Sequence, residues 1–283
     1  MLRTGFGAKT AKTVSSTAAG KQNLADRGLG SDGVIRSISG EDLAVWLDAS
    51  DITGLADAAK VTSWTAKEGI APAQPSSGKQ PTYRVAGFNS RPSVRFDGST
   101  ENALSWSAGL VSDVAQMANT IVAVNYTAAD GATSMLFEMD AYYQNWLNIG
   151  MYYNGSDKLV AGLGTSPGNS GDEASSETVC PDINNVFICT FDRNTNPDSI
   201  VTYINSEPST PGSQATYNSS AGTAWNIMPA YIGSRNNAAN FPLDGDVREF
   251  VILNRALDEG EAFRLGSVLM SKSGLTLRLS DYP

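Results

Sequence analysis

From residue 43 onward the chain is a succession of short runs rich in β-branched and aromatic residues, each closed off by Gly, Asp, Asn or Pro. LAVWLDAS, KVTSWTAK, PSVRFDGS and TIVAVNYTA come first. SMLFEMDA, WLNIGMYYN, KLVAGLG, NVFICTFDR, SIVTYINSE, AYIGSR and DVREFVILN follow. Polar segments such as GTSPGNSGDEASS and EPSTPGSQATYNSS read as loops between them. Short strands without interleaved helices hide their apolar faces by pairing into antiparallel sheets that pack on one another. The pattern therefore predicts an all-β sandwich, or jelly roll, over residues 43–283.

One helix is predicted near the end, in LDEGEAFRLGSVLMSKSGL. Asp258 stands at its N-cap, with acidic residues in the first turn. Ala262, Leu265 and Leu269 make one apolar stripe. Gly274 stands where a C-terminal glycine stops a helix.

Residues 1–42 have a different chemistry. They are rich in Gly, Ser, Thr and Ala and read as an extended basic arm. Up to residue 40 the arm carries Arg3, Lys9, Lys12, Lys21, Arg27 and Arg36 against Asp26 and Asp32, a net +4. The total is −9, so the rest of the chain carries −13. Such a segment cannot bury enough apolar surface to offset its ordering entropy. It is expected to order only on a partner, another subunit or a copy of the chain in a homo-oligomer. The sandwich is expected to keep its melting temperature without residues 1–36.

The chain has no histidine, which excludes His-based triads and the usual zinc sites. A net charge of −9 argues against nucleic acid as a partner. No run is long and apolar enough for a membrane span, and the first residues lack the apolar core of a signal peptide. Cys180 and Cys189 are expected to be two reduced thiols, because a turn near residues 182–184 sets Cys180 opposite Asn185 or Val186. A disulfide is the lesser reading. Reduced thiols fit folding in a cytoplasm.

LAVWLDASDITG, KVTSWTAKEG and RPSVRFDGSTENALSW together resemble the opening of concanavalin A-like, laminin-G-type jelly rolls. YIGSRNN and LDGDVREFVILNRALDEGEAFRLGSVLMSKSGL resemble the ending of the same family. The resemblance spans residues 43–275 and implies a concanavalin-like sandwich. The family spans lectins, glycan-binding modules, hydrolases, lyases, adhesion proteins and bacteriophage accessory proteins, so the fold alone selects no function.

LFEMDAYYQNW bears on that choice. Glu138 and Asp140 share one face of a strand. Laminarinase-type hydrolases of this fold carry E-x-D-x-E or E-x-D-x-x-E, with carboxyls about 5 Å apart for the retaining mechanism. Here Tyr142 and Tyr143 stand where the second glutamate would be. The chain is therefore expected not to be an enzyme, and Glu138 and Asp140 are expected to be a solvated pair. Glu138, Asp140, Tyr142 and Trp146 are the candidates for glycan contact.

Trp46 and Trp64 are expected in the core. Asp48, Asp51 and Asp97 read as turn caps, with calcium as the lesser reading; no metal or cofactor is expected. Glu249 breaks the alternation of VREFVIL and is expected to pair with an arginine such as Arg255 or to mark a bulge. The leading functional expectation is a virion accessory protein, a capsid decoration or tail component held to capsid or tail subunits by the arm. The alternative is a glycan-binding module for host surface polysaccharide, and a laminarinase-type hydrolase is third.

Overall fold

A computed structural model describes residues 30–98, 102–107, 118–128, 131–139, 149–156, 158–163, 172–179, 184–192, 199–208, 229–234 and 241–276. Among these residues, fifteen strands form two antiparallel sheets. The larger sheet holds β1 (Leu43–Asp48), β2 (Ala66–Glu68), β3 (Thr82–Phe88), β4 (Arg91–Phe96), β6 (Ala118–Thr127), β11 (Asn185–Asp192), β12 (Ser199–Ile204), β13 (Glu207–Pro208) and β15 (Gly245–Leu253). Its order is β13-β12-β11-β6-β15-β1-β2, with β4 also on β15 and β3 on β4. The smaller sheet holds β5 (Leu104–Trp106), β7 (Ser134–Met139), β8 (Ile149–Tyr153), β9 (Lys158–Leu163), β10 (Asp172–Val179) and β14 (Ala230–Ile232), in the order β10-β9-β8-β7-β14-β5. The all-β sandwich expected from the sequence is the fold.

The central strands of the larger sheet are apolar on both faces because both faces are covered. Val45 and Leu47 point into the core between the sheets, and Trp46 points the other way. The same alternation sets Ile121 and Ala123 against Val122 and Val124, and Phe187 and Cys189 against Val186 and Ile188. Among the described residues, two helices cover the outer face, α1 (Ser31–Ser39) and α2 (Glu259–Lys272). α2 starts at a capping box: the Asp258 side chain accepts from the Glu261 N–H, and the Glu261 side chain accepts from the Asp258 N–H. Ala262, Leu265 and Leu269 are fully buried, as the stripe predicts.

α1 lies inside the segment assigned to the arm, and here the structure corrects the sequence reading. Val34, Ile35 and Ile38 fall on one face and pack into the same apolar cluster as Trp46, Leu265 and Leu269. A nine-residue helix with three apolar residues does not hold by itself in water. It forms because α2 and the sheet accept its stripe, and so it belongs to the sandwich's own packing.

Two segments differ from their sequence reading. DEASSETV, whose first residues were read within a loop, is β10 at a sheet edge, where its ladder to β9 runs from Asp172↔Leu163 to Ser175↔Val160 and, past an irregularity, to Val179↔Lys158. Backbone pairing, not an apolar run, makes it a strand. KVTSWTAK is a strand only from Ala66, with isolated bridges at Lys60 and Ser63.

Gly233 shows how the two ends of the family resemblance meet. Its φ is +89°, and a Cβ there would lie 2.0 Å from Phe96 Cδ1. The ring of VRFDG on the larger sheet thus occupies the place of the missing side chain of YIG after β14 on the smaller.

Candidate functional site

The smaller sheet has one face in the core and one turned away from it. Along β7, Phe137 and Met139 point into the core cluster, so Glu138 points outward. Glu138 sits in a register row that crosses all six strands. Ser105 on β5 faces Tyr231 on β14, and Tyr231 faces Glu138. Glu138 faces Gly150 on β8, Gly150 faces Gly162 on β9, and Gly162 faces Glu173 on β10. Tyr152, two residues beyond Gly150, is on the same face, and its ring edge comes within 3.9 Å of a Cβ built on Gly162.

Burial divides this face. Glu138 is 2% exposed and Tyr231 9%, and neither belongs to an apolar core cluster. The solvated carboxylate expected at 138 is therefore corrected to a buried one. Gly150, Tyr152 and Gly162 are half-buried and meet solvent. Among the described residues, nothing stands within 4 Å of a Cβ built on Gly150. The face thus offers a backbone floor at the two glycines, an aromatic ring at its margin and a carboxyl directly across from Gly150.

A second group of charged residues lies on the opposite side of the molecule, under the helices. Trp46 Nε1 donates to Glu249 Oε1 at 2.7 Å. Lys272 Nζ is 2.6 Å from Asp48 Oδ2, 2.8 Å from Glu249 Oε1 and 3.0 Å from Asp32 Oδ1. Lys67 Nζ is 2.6 Å from Asp32 Oδ2, 3.5 Å from Asp48 Oδ2 and 3.4 Å from Asp51 Oδ2. Both ammonium groups and the Arg36 guanidinium sit 4.8–5.4 Å from the Trp46 ring centroid. Burial alone would raise the Asp48 carboxyl, but the charge and hydrogen bond of Lys272 and the bonds from Ser50 bring it to about 2. Burial would lower the Lys272 ammonium, and Glu249 and Asp48 instead raise it. Burial pushes the Glu249 carboxyl up.

This cluster absorbs the motif residues that carried the family resemblance. Trp46 and Asp48 come from WLDAS, Glu249 from GDVRE and Lys272 from KSGL. Their work is structural, tying α1, β1, β2, β15 and α2 together. Asp48 and Asp51 face lysine ammonium groups, so positive charge beside them is supplied by the chain itself. Asp48 also caps the following turn by accepting from the Ser50 N–H. The Asp97 N–H donates to Asn102 Oδ1. Among the described residues no group of three or more His, Cys, Asp or Glu is placed to hold a metal.

The remaining candidates fall as follows. Asp140, Tyr142 and Trp146 lie outside the described residues, as do Arg3, Lys9, Lys12, Lys21, Arg27 and Cys180. Arg36 pairs with Glu68 at 2.8 Å within the chain. Cys189 is a buried thiol whose Sγ lies 3.2 Å from Met151 Sδ. Glu249 does mark a bulge in the β15–β6 ladder, but its cation is Lys272. Arg255 instead pairs with Glu261 at 2.6 Å and Asp42 at 3.2 Å. Tyr152 and Tyr231 were not singled out in the sequence. The signal that could have found Tyr231 is its place beside the YIG glycine.

The sequence matches no family model and no curated protein. Solved structures do match. Trypanosoma rangeli sialidase in complex with 2,3-difluorosialic acid is similar over 85% of this chain and 35% of that chain, at 16% identity and a TM-score of 0.56. Trypanosoma rangeli sialidase is matched over 85% and 34%, at 16% identity and a TM-score of 0.52. The Ruminococcus gnavus IT-sialidase CBM40 bound to α2,3 sialyllactose is matched over 54% and 84%, at 14% identity and a TM-score of 0.44. This chain spans about a third of the length of the sialidases it matches.

These matches overturn the expectation that the chain is not an enzyme, because chains that contain this fold include glycoside hydrolases. That expectation rested on a missing second glutamate. The two-carboxylate scheme is not general, since sialidases use a tyrosine nucleophile. The sialidases named above give no support to the expected capsid or tail role.

Proposed function

We propose that the chain recognises carbohydrate on the outward face of its six-stranded sheet. Tyr152 is the surface on which a sugar ring lies, and Gly150 and Gly162 are the floor. The observation that carries this reading is the row Tyr231–Glu138–Gly150–Gly162, which faces away from the core and, among the described residues, is open at Gly150. A pyranose has an apolar face bordered by hydroxyls. An aromatic ring beside a side-chain-free floor suits that apolar face. Similarity to a sialidase solved with a difluorosialic acid supports the reading. The ligand source expected from the sequence is host surface polysaccharide.

The test is a glycan array probed with the full chain and with Gly150→Leu. Among the described residues nothing meets the added Cβ, so the fold and melting temperature are expected to stay unchanged while glycan retention is lost. Retention equal to that of the parent chain would remove this face as the binding site.

A further inference from the structure

We propose that Asn154, at the tip of the hairpin joining β8 to β9, is a site of self-modification. The peptide nitrogen of Gly155 displaces its side-chain amide, which leaves aspartate or isoaspartate in its place. This goes beyond the carbohydrate reading and does not depend on it.

The sequence supplies the reactive pair. Asn154-Gly155 is the single Asn-Gly step in the chain. Glycine has no Cβ to crowd its own nitrogen. Gly155 and Ser156 are exposed, so water reaches the peptide that attacks.

The turn supplies the geometry. Asn154 Oδ1 accepts from the Ser156 N–H at 2.9 Å and from the Lys158 N–H at 3.2 Å. The first of these bonds is an Asx turn, which folds a side chain back over the peptide that follows it. It keeps Cγ beside the Gly155 nitrogen. Both N–H groups also draw electron density from the Cγ carbonyl. They are already aimed at the oxygen that becomes an oxyanion when Cγ turns tetrahedral. The Asn154 N–H donates to Lys158 O at 3.0 Å, which closes the tip around the two donors. Asn89 and Asn205 are held differently. The Asn89 amide donates to Ser273 O and Gly274 O. Asn205 Oδ1 accepts from the Val186 N–H, and its amide donates to Asn185 Oδ1. Those bonds tie each side chain to a distant segment instead of to its own next peptide.

The chemistry balances with water alone. The Gly155 N–H gives its proton to solvent, the bond from its nitrogen to Cγ forms, and the bond from Cγ to Nδ2 breaks. The leaving nitrogen takes up a proton and departs as ammonia. The cyclic imide then adds one water. Opening at one carbonyl gives aspartate, and opening at the other gives isoaspartate. Each product adds one negative charge to a chain of net −9. Aspartate keeps both N–H donors, now in charge-assisted bonds. Isoaspartate routes the backbone through Cγ and adds a methylene next to the Tyr153↔Leu159 pair. The strands of that hairpin are the ones that carry Gly150 and Gly162.

The experiment is peptide mapping by mass spectrometry of the full chain aged in mildly alkaline buffer, folded and in urea. The peptide that contains Asn154 is expected to gain about 1 Da. It should do so at least about tenfold faster in the folded chain, because the two placed donors exist only in the turn. Gly155→Ala is expected to slow the gain at least about tenfold in both conditions, as its Cβ crowds the attacking nitrogen. The arm in urea reads that variant without relying on its fold. A folded rate equal to or below the rate in urea overturns the proposal, as does a gain that appears at other asparagines and not at Asn154.

Discussion

The ammonium of Lys272, in the last turn of α2, lies 2.6 Å from the carboxylate of Asp48 at the end of β1, and Asp48 is fully buried. The two residues stand near opposite ends of the sandwich sequence. The helix that closes the fold is thereby held to the strand that opens it. Removing one partner of a buried ion pair leaves the other charge desolvated, which costs more than the pair itself contributes.

Lys272→Met is therefore expected to lower stability by about 3 kcal/mol, because Asp48 and Glu249 lose their closest cation together. For a domain of this size that is a fall in melting temperature of roughly 10 °C. Thermal unfolding followed by circular dichroism measures it. A fall under about 2 °C would mean that Lys67, 3.5 Å from Asp48, compensates by itself.

Asp48 sets a pH dependence on the acid side. Its carboxyl ionises at about 2 in the folded chain, against 3.8 as a free side chain. A depressed carboxyl stabilises the fold fully above the unfolded value, and that contribution is lost as pH falls from about 4 towards 2. The difference corresponds to about 2 kcal/mol. Glu249 acts with the opposite sign. Burial raises its carboxyl, so it favours the fold below its free value and opposes it as pH rises through that value. Urea unfolding between pH 2 and 5 is expected to show an acid-side loss that shrinks in Asp48→Asn. An identical slope in parent and variant would assign the loss to other carboxyls.

Gly233→Ala is expected to destabilise by about 3 kcal/mol or more. The new Cβ meets the Phe96 ring at 2.0 Å, and φ of +89° is strained for any side chain. Pairing it with Phe96→Leu relieves the clash and should recover part of the loss. A double variant no better than the single one would place the cost in the backbone alone.

α1 is expected to behave as part of the folded body. Ile35→Ala removes a fully buried side chain and should cost about 2–4 kcal/mol. Deleting residues 1–40 should lower the melting temperature by at least as much as Ile35→Ala, since Val34, Ile35, Ile38 and the Asp32 carboxylate leave together. An unchanged melting temperature in the deletion would return this segment to the role of a detachable arm.

The sequence by itself determined the sandwich, because β1, β6, β11 and β15 alternate residues that are apolar on both sides, and only a sheet covered on both faces satisfies such runs. It also determined α2, whose Asp258 cap, apolar stripe and Gly274 are local signals acting within a few residues of one another. Strands β3 and β10 were not legible, since an edge strand is held by its neighbour's backbone and needs no apolar pattern of its own. α1 was not legible for the same kind of reason: three apolar residues in nine make a helix only where another surface receives them.

The candidate site divides along the same line. Glu138 was visible as an unusual carboxylate in an apolar strand. Its company was not, because the ladder of β7 on β8 slips between Met135 and Phe137, and one extra residue exchanges the faces of everything beyond it. That slip, which no spacing rule reveals, decides that Glu138 faces Gly150 and shares a surface with Tyr152 and Tyr231. Lys272 reads in the sequence as an ordinary cation at a helix end, and its burial among Asp48, Glu249 and Asp32 follows only from the packing of α2 on the sheet. Local pattern selects the elements and their apolar faces. Which polar side chains meet depends on register and packing between segments far apart in the chain, and those are settled only when the sheets close.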